Sequence, residues 1–181
     1  MKSKRIRIAA ASVALAAPVT LAAAGPARAD VPSPATFTDA TGDGSSALDL
    51  RSVRVKNTER RVVVRLELPG AAKAPLGGVA VFLDTDPGRA GAEYGHFADF
   101  GSEYRFAPVR GWREQRMDDC AGDGRLRIDP TLRTITFKAT KRPGCLEGDS
   151  VRVAVMTVDD SGAGSQVDWL GSRRSFSEWV S

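Results

Sequence analysis

A cluster of aspartates and glycines near residue 40 has the side chains best suited to bind a hard cation. Asp39, Asp43 and Asp49 fall within eleven residues, and Gly42 and Gly44 lie between them. Ca²⁺ takes several carboxylate and carbonyl oxygens, which turns of this composition supply at short spacings. The spacing is not that of an EF-hand loop, which has a glutamate at its twelfth position. The cluster therefore predicts a structural calcium site, with ordinary turn capping as the alternative.

A second cluster, Asp84 and Asp86 followed by Gly88, comes directly after the apolar run at 78–83. We include both carboxylates among the predicted calcium ligands, because they also combine acidic side chains with a turn. Two further clusters, at 118–124 and 159–162, are more typical of turns in which aspartate caps its own backbone.

Aromatic residues are concentrated between residues 94 and 112, and flat rings of this kind can stack on the faces of sugars. The six are Tyr94, Phe97, Phe100, Tyr104, Phe106 and Trp112. Tyr104 and Trp112 have several arginines as neighbours, so we expect these two to form an exposed ligand-binding pair. The alternative is that most of these rings fill the core.

Catalytic motifs are not apparent in this sequence. His96 is its one histidine, which excludes a multi-histidine metal site within the chain, and no GxSxG elbow accompanies it. A glycoside hydrolase would need two facing carboxylates. The candidates are Glu93, Asp99, Glu103 and Glu114. We expect non-catalytic binding, with extracellular carbohydrate as the ligand. A carboxylate-dependent glycoside hydrolase and a protein-interaction or inhibitor module are the alternatives.

The first 29 residues have the anatomy of a secretory signal peptide. They carry five basic residues and no acidic one, then an apolar stretch at 8–24, then Ala27-Arg28-Ala29. Cleavage after Ala29 predicts a secreted, extracellular protein, with a retained anchor as the alternative. The rest of the chain has 21 basic and 22 acidic residues, a formal charge of about −1 instead of +4. This balance disfavours nucleic-acid binding.

The two cysteines, Cys120 and Cys145, are the only possible disulfide pair. Export makes a disulfide the expected state, and two free thiols the alternative. Closing a loop of this length would stabilise the fold by roughly 3–4 kcal/mol in the chain-entropy model.

Short strands separated by turn clusters dominate the chain after residue 36. In the run 61–68, Val62, Val64 and Leu66 alternate with polar residues, which predicts a strand with one buried face. The runs 78–83 and 151–158 are apolar on both faces, which is typical of central strands. About nine strands, the last at 176–180, and no clear helix predict an all-β, two-sheet antiparallel sandwich over 37–181. Residues 30–36 are predicted to be an extended segment.

Three short motifs give the chain a family resemblance over about residues 37–106. They are Asp39-x-x-Gly42-Asp43, Leu48-Asp49-Leu50-x-x-Val53-x-Val55 and Phe82-Leu83-Asp84-Thr85-Asp86. Together they resemble the DOMON-like β-sandwiches, above all family 9 carbohydrate-binding modules and related stand-alone secreted proteins. The resemblance implies a jelly-roll-like antiparallel sandwich, often with structural calcium, and a sugar or haem site on one sheet.

The chain departs from that family at the ligand-binding residues. Family 9 modules hold sugar between two tryptophans, and none of Trp112, Trp169 and Trp179 maps onto such a pair. The haem-binding relatives use a methionine and a histidine as axial ligands, and the sequence does not place Met117 or Met156 relative to His96. The resemblance therefore implies the fold more strongly than the ligand.

Overall fold

Alternating apolar and polar side chains produce the strands of this protein. The computed structural model describes residues 33–69, 76–100, 103–162 and 164–181, so the predicted signal peptide lies outside the described residues. Within them are eleven strands, which are β1 (Ala35–Thr38), β2 (Ser52–Asn57), β3 (Arg61–Glu67), β4 (Gly77–Asp84), β5 (Tyr94–Asp99), β6 (Tyr104–Arg110), β7 (Arg113–Glu114), β8 (Gly124–Asp129), β9 (Thr134–Thr140), β10 (Arg152–Asp159) and β11 (Gln166–Trp169).

The strands form two antiparallel sheets, which confirms the predicted fold class. The five-stranded sheet has the order β1-β2-β3-β9-β8, and the six-stranded sheet has the order β11-β10-β4-β5-β6-β7. β2 and β3 form a hairpin in which Asn57 lies opposite Val62. In the described part of the chain no helix is long and apolar enough to cross a membrane.

The main hydrophobic core lies between the sheets and follows the period of two in each strand. Val62, Val64 and Leu66 of β3 are almost fully buried, and so are Val79 and Val81 of β4. Each side chain of this type contributes about 1.5–3 kcal/mol when fully buried. The disulfide between Cys120 and Cys145 is present, with the Cα atoms 5.7 Å apart, and Cys120 packs in the same core.

The described residues form eleven strands instead of the predicted nine. β1 begins at Ala35, inside the segment predicted to be merely extended, and the short strands β7 and β11 are additional. The predicted strand at 176–180 is wrong, because only Val180 forms a bridge there, with Val151. Short edge strands carry too few alternating positions to stand out from turns.

Candidate functional site

The outer face of the six-stranded sheet, the face turned away from the other sheet, is also apolar. On β4, Val79 and Val81 belong to the main core, whereas Ala80 and Phe82 belong to a second, smaller cluster. Its other buried members are Ala92, Val109 and Ala154, and Phe97, Trp112, Met156, Trp169 and Phe176 pack against it while partly exposed. Among the described residues no second sheet covers this cluster, and its partly buried rings, Phe97, Trp112, Trp169 and Phe176, reach solvent.

A cavity of about 600 Å³ opens on this outer face. Its lining is Ala80, Phe82, Phe97, Trp112, Met156, Val167, Trp169, Arg173 and Arg174. The volume lies in the range of sites for small ligands, which are mostly apolar with a few polar groups that fix orientation. We call this space the outer cavity.

Phe82 is the centre of the ring cluster that forms the floor of the outer cavity. Its centroid lies 5.1 Å from that of Trp112, edge to face, and 6.2 Å from that of Trp169, with the rings stacked. The two tryptophans are 5.8 Å apart and nearly perpendicular. Edge-to-face and stacked contacts of this kind stabilise aromatic pairs, and the floor presents two indoles at an angle.

Trp112 reaches the outer face because of an unusual hairpin turn. Arg110 pairs with Arg113, so Gly111 and Trp112 are the two turn residues, and their φ angles are +56° and +66°. Positive φ at both positions is the type I′ pattern, which favours asparagine and glycine. A tryptophan there is a backbone outlier that costs on the order of 1 kcal/mol or more, and its packing on Phe82 offsets this cost.

One wall of the outer cavity is a loop that interrupts the sheet edge beside β10. Leu170 donates to the carbonyl of Val155, and Ser177 donates to that of Val153. Residues 171–176 therefore lie opposite Ala154 alone and bulge outward, and we call them the wall loop. This six-residue insertion carries Arg173, Arg174 and Phe176.

The wall loop is also conformationally strained at the cavity. Gly171 has a φ of +67° and Arg174 has one of +59°. Trp112, Arg133 and Arg174 are the non-glycine residues with positive φ in the described chain, and two of them line the outer cavity. Left-handed non-glycine residues cluster at functional sites, so this concentration supports the outer cavity as the candidate site.

A second cavity of about 270 Å³ shares Ala80, Phe97 and Met156 with the outer cavity. Its lining also includes Gly77, Gly78, Val79, Ala98, Asp99, Arg105, Val158 and Asp160. The two spaces therefore adjoin along the outer face, with an aromatic floor at one end and charged side chains at the other. We call the combined surface the outer groove.

Tyr104 lies on the other face of the sheet, so the structure does not bring together the predicted pair of Tyr104 and Trp112. On β6, the side chains of Tyr104 and Phe106 lie on the inner face of the sheet, in the main core. The left-handed turn after β6 places Trp112 on the outer face. The Tyr104 hydroxyl shares a hydrogen bond of 2.7 Å with Nδ1 of His96, and burial raises the pKa of this tyrosine. The ring beside Trp112 is therefore that of Trp169, and Tyr104 belongs to the main core.

His96 is a core residue. It is 1% exposed and packs against Phe106 and Phe137, with centroid distances of 4.6 and 5.2 Å. Burial lowers its pKa to about 3, so its imidazole is neutral in the folded protein. It is a hydrogen-bonded strand histidine that faces the partner sheet.

The predicted calcium ligands are only partly brought together. Carboxylate oxygens of Asp39, Asp43 and Asp168 lie within 4.8 Å of one another. Asp39 Oδ1 accepts a hydrogen bond of 2.7 Å from the Gly171 amide, and Asp168 Oδ2 accepts one of 2.8 Å from the Leu50 amide. We call these three residues the aspartate triplet.

Burial and like charge both act on the aspartate triplet. Burial raises the pKa of Asp168 to about 6, and the charges of Asp39 and Asp43 also raise it. Hydrogen bonds from the backbone of Leu50 and Trp169 act in the opposite direction and lower this pKa. Burial also raises the pKa of Asp39. The arrangement disfavours three ionised carboxylates, and a cation among them would relieve that repulsion.

Asp49 has a different role from the triplet. It is 2% exposed, and its Oδ1 accepts hydrogen bonds from the amides of Gly42 and Gly44. Its Oδ2 lies 3.0 Å from Nε of Arg51. These contacts hold the loop that carries Asp39 and Asp43 in its folded shape. They correspond to the turn-capping alternative for Asp49 instead of direct binding of a metal ion.

Asp84 and Asp86 belong to no cluster of three or more metal-ligating side chains among the described residues. Asp84 is fully buried, and its Oδ2 lies 2.8 and 2.7 Å from two nitrogens of Arg152. Asp86 is exposed, and its Oδ1 accepts a hydrogen bond from the Gly88 amide. An ion pair and a turn cap therefore account for the second cluster.

Asp168 is the functional candidate that the sequence does not reveal. It lies on β11, far along the chain from Asp39, and the pattern around it does not single it out. Its distinguishing feature appears in the structure, where Asp168 is buried between the exposed Val167 and the partly exposed Trp169. Gly44 is required here, because a Cβ on this residue would lie 2.7 Å from Asp168 Oδ2.

The carboxylates considered for hydrolysis make structural contacts. Glu103 and Glu114 both bind Arg105, at 2.6 and 2.8 Å. Glu93 accepts a hydrogen bond of 2.7 Å from the Thr85 amide, and burial raises its pKa. Asp99 lines the second cavity. None of the four lines the outer cavity.

Comparisons with protein-family models, curated proteins and solved structures give no match. The resemblance to the DOMON-like sandwiches therefore rests on the motifs alone. The function must be argued from the geometry of the outer face.

Proposed function

We propose that this protein is an exported, non-catalytic binding protein that takes carbohydrate in the outer groove. The observation that carries the proposal is the outer cavity, where a partly exposed aromatic floor meets two strained residues, Trp112 and Arg174. Sugar rings have apolar faces that stack on indoles, and polar groups at the rim would bind their hydroxyls. The disulfide supports export, because such bonds persist in oxidising compartments.

The strain at Trp112 favours a binding role over a packing role. A type I′ turn is most stable with asparagine or glycine, so a turn selected for stability alone would not carry an indole. Trp112 instead lies partly exposed beside Trp169, where it can contact a ligand as well as Phe82.

We also propose a structural calcium ion at the aspartate triplet. Asp39 accepts the Gly171 amide at the start of the wall loop, and Asp168 precedes Trp169 on the cavity floor. A cation held by these carboxylates would tie the loop at 39–49 to the edge of the outer cavity. The proposed role is therefore to hold the binding site in shape, with no part in chemistry.

Calorimetric titration of the mature protein with glucan and chitin oligomers tests the carbohydrate proposal. Wild type should bind with modest affinity, because stacking yields only a few kcal/mol before ordering costs. Trp112→Asn should abolish binding and keep the melting temperature, since asparagine suits the turn. Trp179→Phe is the matched control, because Trp179 packs on Arg152 outside the cavity lining.

The possible results separate the alternatives. Equal binding by wild type and Trp112→Asn would contradict the assigned site. Release of shorter sugars during the titration would favour the hydrolase alternative, and no heat with any of these oligomers would count against neutral glucans and chitin as the ligand.

A further inference from the structure

Two adjacent arginines stand at the rim of the outer cavity without an acidic partner. Arg173 and Arg174 are exposed, and neither forms an ion pair with any residue in the described ranges. By contrast, Arg105 and Arg152, which lie on the same sheet, are both paired with carboxylates. The wall loop thus brings uncompensated positive charge to a cavity that is otherwise apolar.

The chain holds these arginines in place at a conformational cost. Arg174 has a left-handed backbone, with φ at +59°, and Gly171 precedes it with a φ of +67°. Phe176 anchors the loop, with its ring 5.1 Å from that of Trp112. The Arg152 guanidinium covers Phe176 at 4.8 Å. The pair of charges is therefore presented by an anchored loop rather than by a free chain end.

We propose that the ligand is an acidic oligosaccharide, with a sugar carboxylate at Arg173 and Arg174 and its ring on the tryptophan floor. This inference rests on the proposed function and names its ligand class. Guanidinium groups bind carboxylates through paired hydrogen bonds in a fixed geometry. A uronic-acid ring offers both an apolar face and a carboxylate, and the cavity presents the complement of each.

The second cavity sets the length of this ligand. It adjoins the outer cavity through Ala80, Phe97 and Met156, and Arg105 and Asp160 line it. A chain of two or more sugars would span both spaces, with the acidic unit at the wall loop. A single uronic acid would occupy the outer cavity alone and bind more weakly.

Esterification provides a matched pair of ligands for the test. Tetramers of α-1,4-galacturonate and β-1,4-mannuronate are titrated beside their methyl esters, which keep the rings and remove the charge. The acid form of at least one tetramer should bind about tenfold more tightly than its ester, the size expected of exposed charge-assisted contacts. Its affinity should fall with added salt, whereas that of the ester should not.

Two double variants separate position from net charge. Arg173→Gln/Arg174→Gln should lower the affinity for the acid to that for the ester. Arg60→Gln/Arg61→Gln removes two adjacent exposed arginines beside the five-stranded sheet and should keep the preference.

The outcomes distinguish this inference from the proposed function. Equal affinity for acid and ester, with binding still lost in Trp112→Asn, would overturn the acidic ligand and keep carbohydrate binding. Absence of binding by acids, esters and neutral oligomers would overturn both. Loss of the preference in both double variants would show general attraction instead of a site.

Discussion

The two faces of the six-stranded sheet contain similar residues and have opposite surroundings. The inner face packs valines, His96 and Phe106 against the other sheet, and each is at most 3% exposed. The outer face packs Phe82 beneath Trp112 and Trp169, which stay partly exposed. Apolar residues on both faces of a strand therefore indicate that both faces are covered, but they do not indicate which element covers each face. Here one cover is a sheet and the other is a turn and a loop that leave room for a ligand.

The largest expected difference between the faces is in stability. Phe137→Ala removes a fully buried ring that faces His96 and should cost about 3–5 kcal/mol of unfolding free energy. Phe97→Ala removes a partly exposed ring of the outer face and should cost about 1 kcal/mol, because less area leaves contact. Urea unfolding of both variants measures this. Similar losses would mean that the outer face is an equally packed core.

A buried ion pair at the outer edge should give the next largest effect. Arg152→Met leaves the fully buried carboxylate of Asp84 without its partner and should cost about 3 kcal/mol. Arg105→Met breaks the pairs with Glu103 and Glu114, in which all three side chains are partly exposed, and should cost about 1 kcal/mol. Adding Asp84→Asn to the Arg152 variant should restore part of the loss. A cost near zero for Arg152→Met would show that Asp84 is solvated.

Calcium should stabilise the fold through the aspartate triplet. At a hundredfold excess over the dissociation constant, a cation bound only by the folded state adds about 2.7 kcal/mol. Thermal melts with calcium and with chelator should differ accordingly. Asp43→Asn and Asp168→Asn should shrink the difference, whereas Asp86→Asn, in an exposed turn, should keep it. Identical wild-type melts in both conditions would leave turn capping as the role of this loop.

Asp168 has a pH dependence that serves as an internal check on the calcium result. Its folded pKa, about 6, is above the unfolded value of 3.8, so the folded state binds more protons between these values. The stability from this proton is full below about pH 4 and is lost as pH rises through 6. Without calcium, Asp168→Asn should therefore raise the unfolding free energy at pH 7 and flatten that part of the pH profile. An unchanged profile would contradict the assigned burial.

The contribution of His96 to the unfolding free energy changes with pH in the opposite direction to that of Asp168, and the change near neutral pH is smaller. Its pKa is about 3 folded and 6.5 unfolded, so the unfolded state binds more protons between them and stability falls as pH drops below 6.5. Wild type should lose about 2 kcal/mol more than His96→Gln between pH 7 and pH 5. The contribution of Asp168 cancels in this difference, which urea unfolding measures. Equal losses would place His96 in contact with solvent.

Much of the fold could be predicted from the sequence, because strands depend on local alternation. The period of two in the run 61–68 predicted the strand β3, and the two cysteines allowed one disulfide. The edge strands β7 and β11 were too short for alternation to be visible.

The candidate site was less predictable, because it depends on distant residues and on one backbone conformation. Asp168 joins Asp39 and Asp43 only through the packing of β11 near the first loop. Trp112 is directed outward by a left-handed turn, which simple alternation along β6 does not predict. The arginines near both rings therefore led the sequence prediction to pair Trp112 with Tyr104 rather than with Trp169.

The indole N–H signals in a ¹⁵N–¹H correlation spectrum test the central claim most directly, because the chain has three tryptophans and all lie in the described residues. Titration with acidic tetramers should shift the Trp112 and Trp169 signals in proportion to saturation. Trp179, which packs on Arg152 outside the cavity lining, should move least. Saturable binding that leaves the Trp112 and Trp169 signals in place would contradict the outer groove as the site.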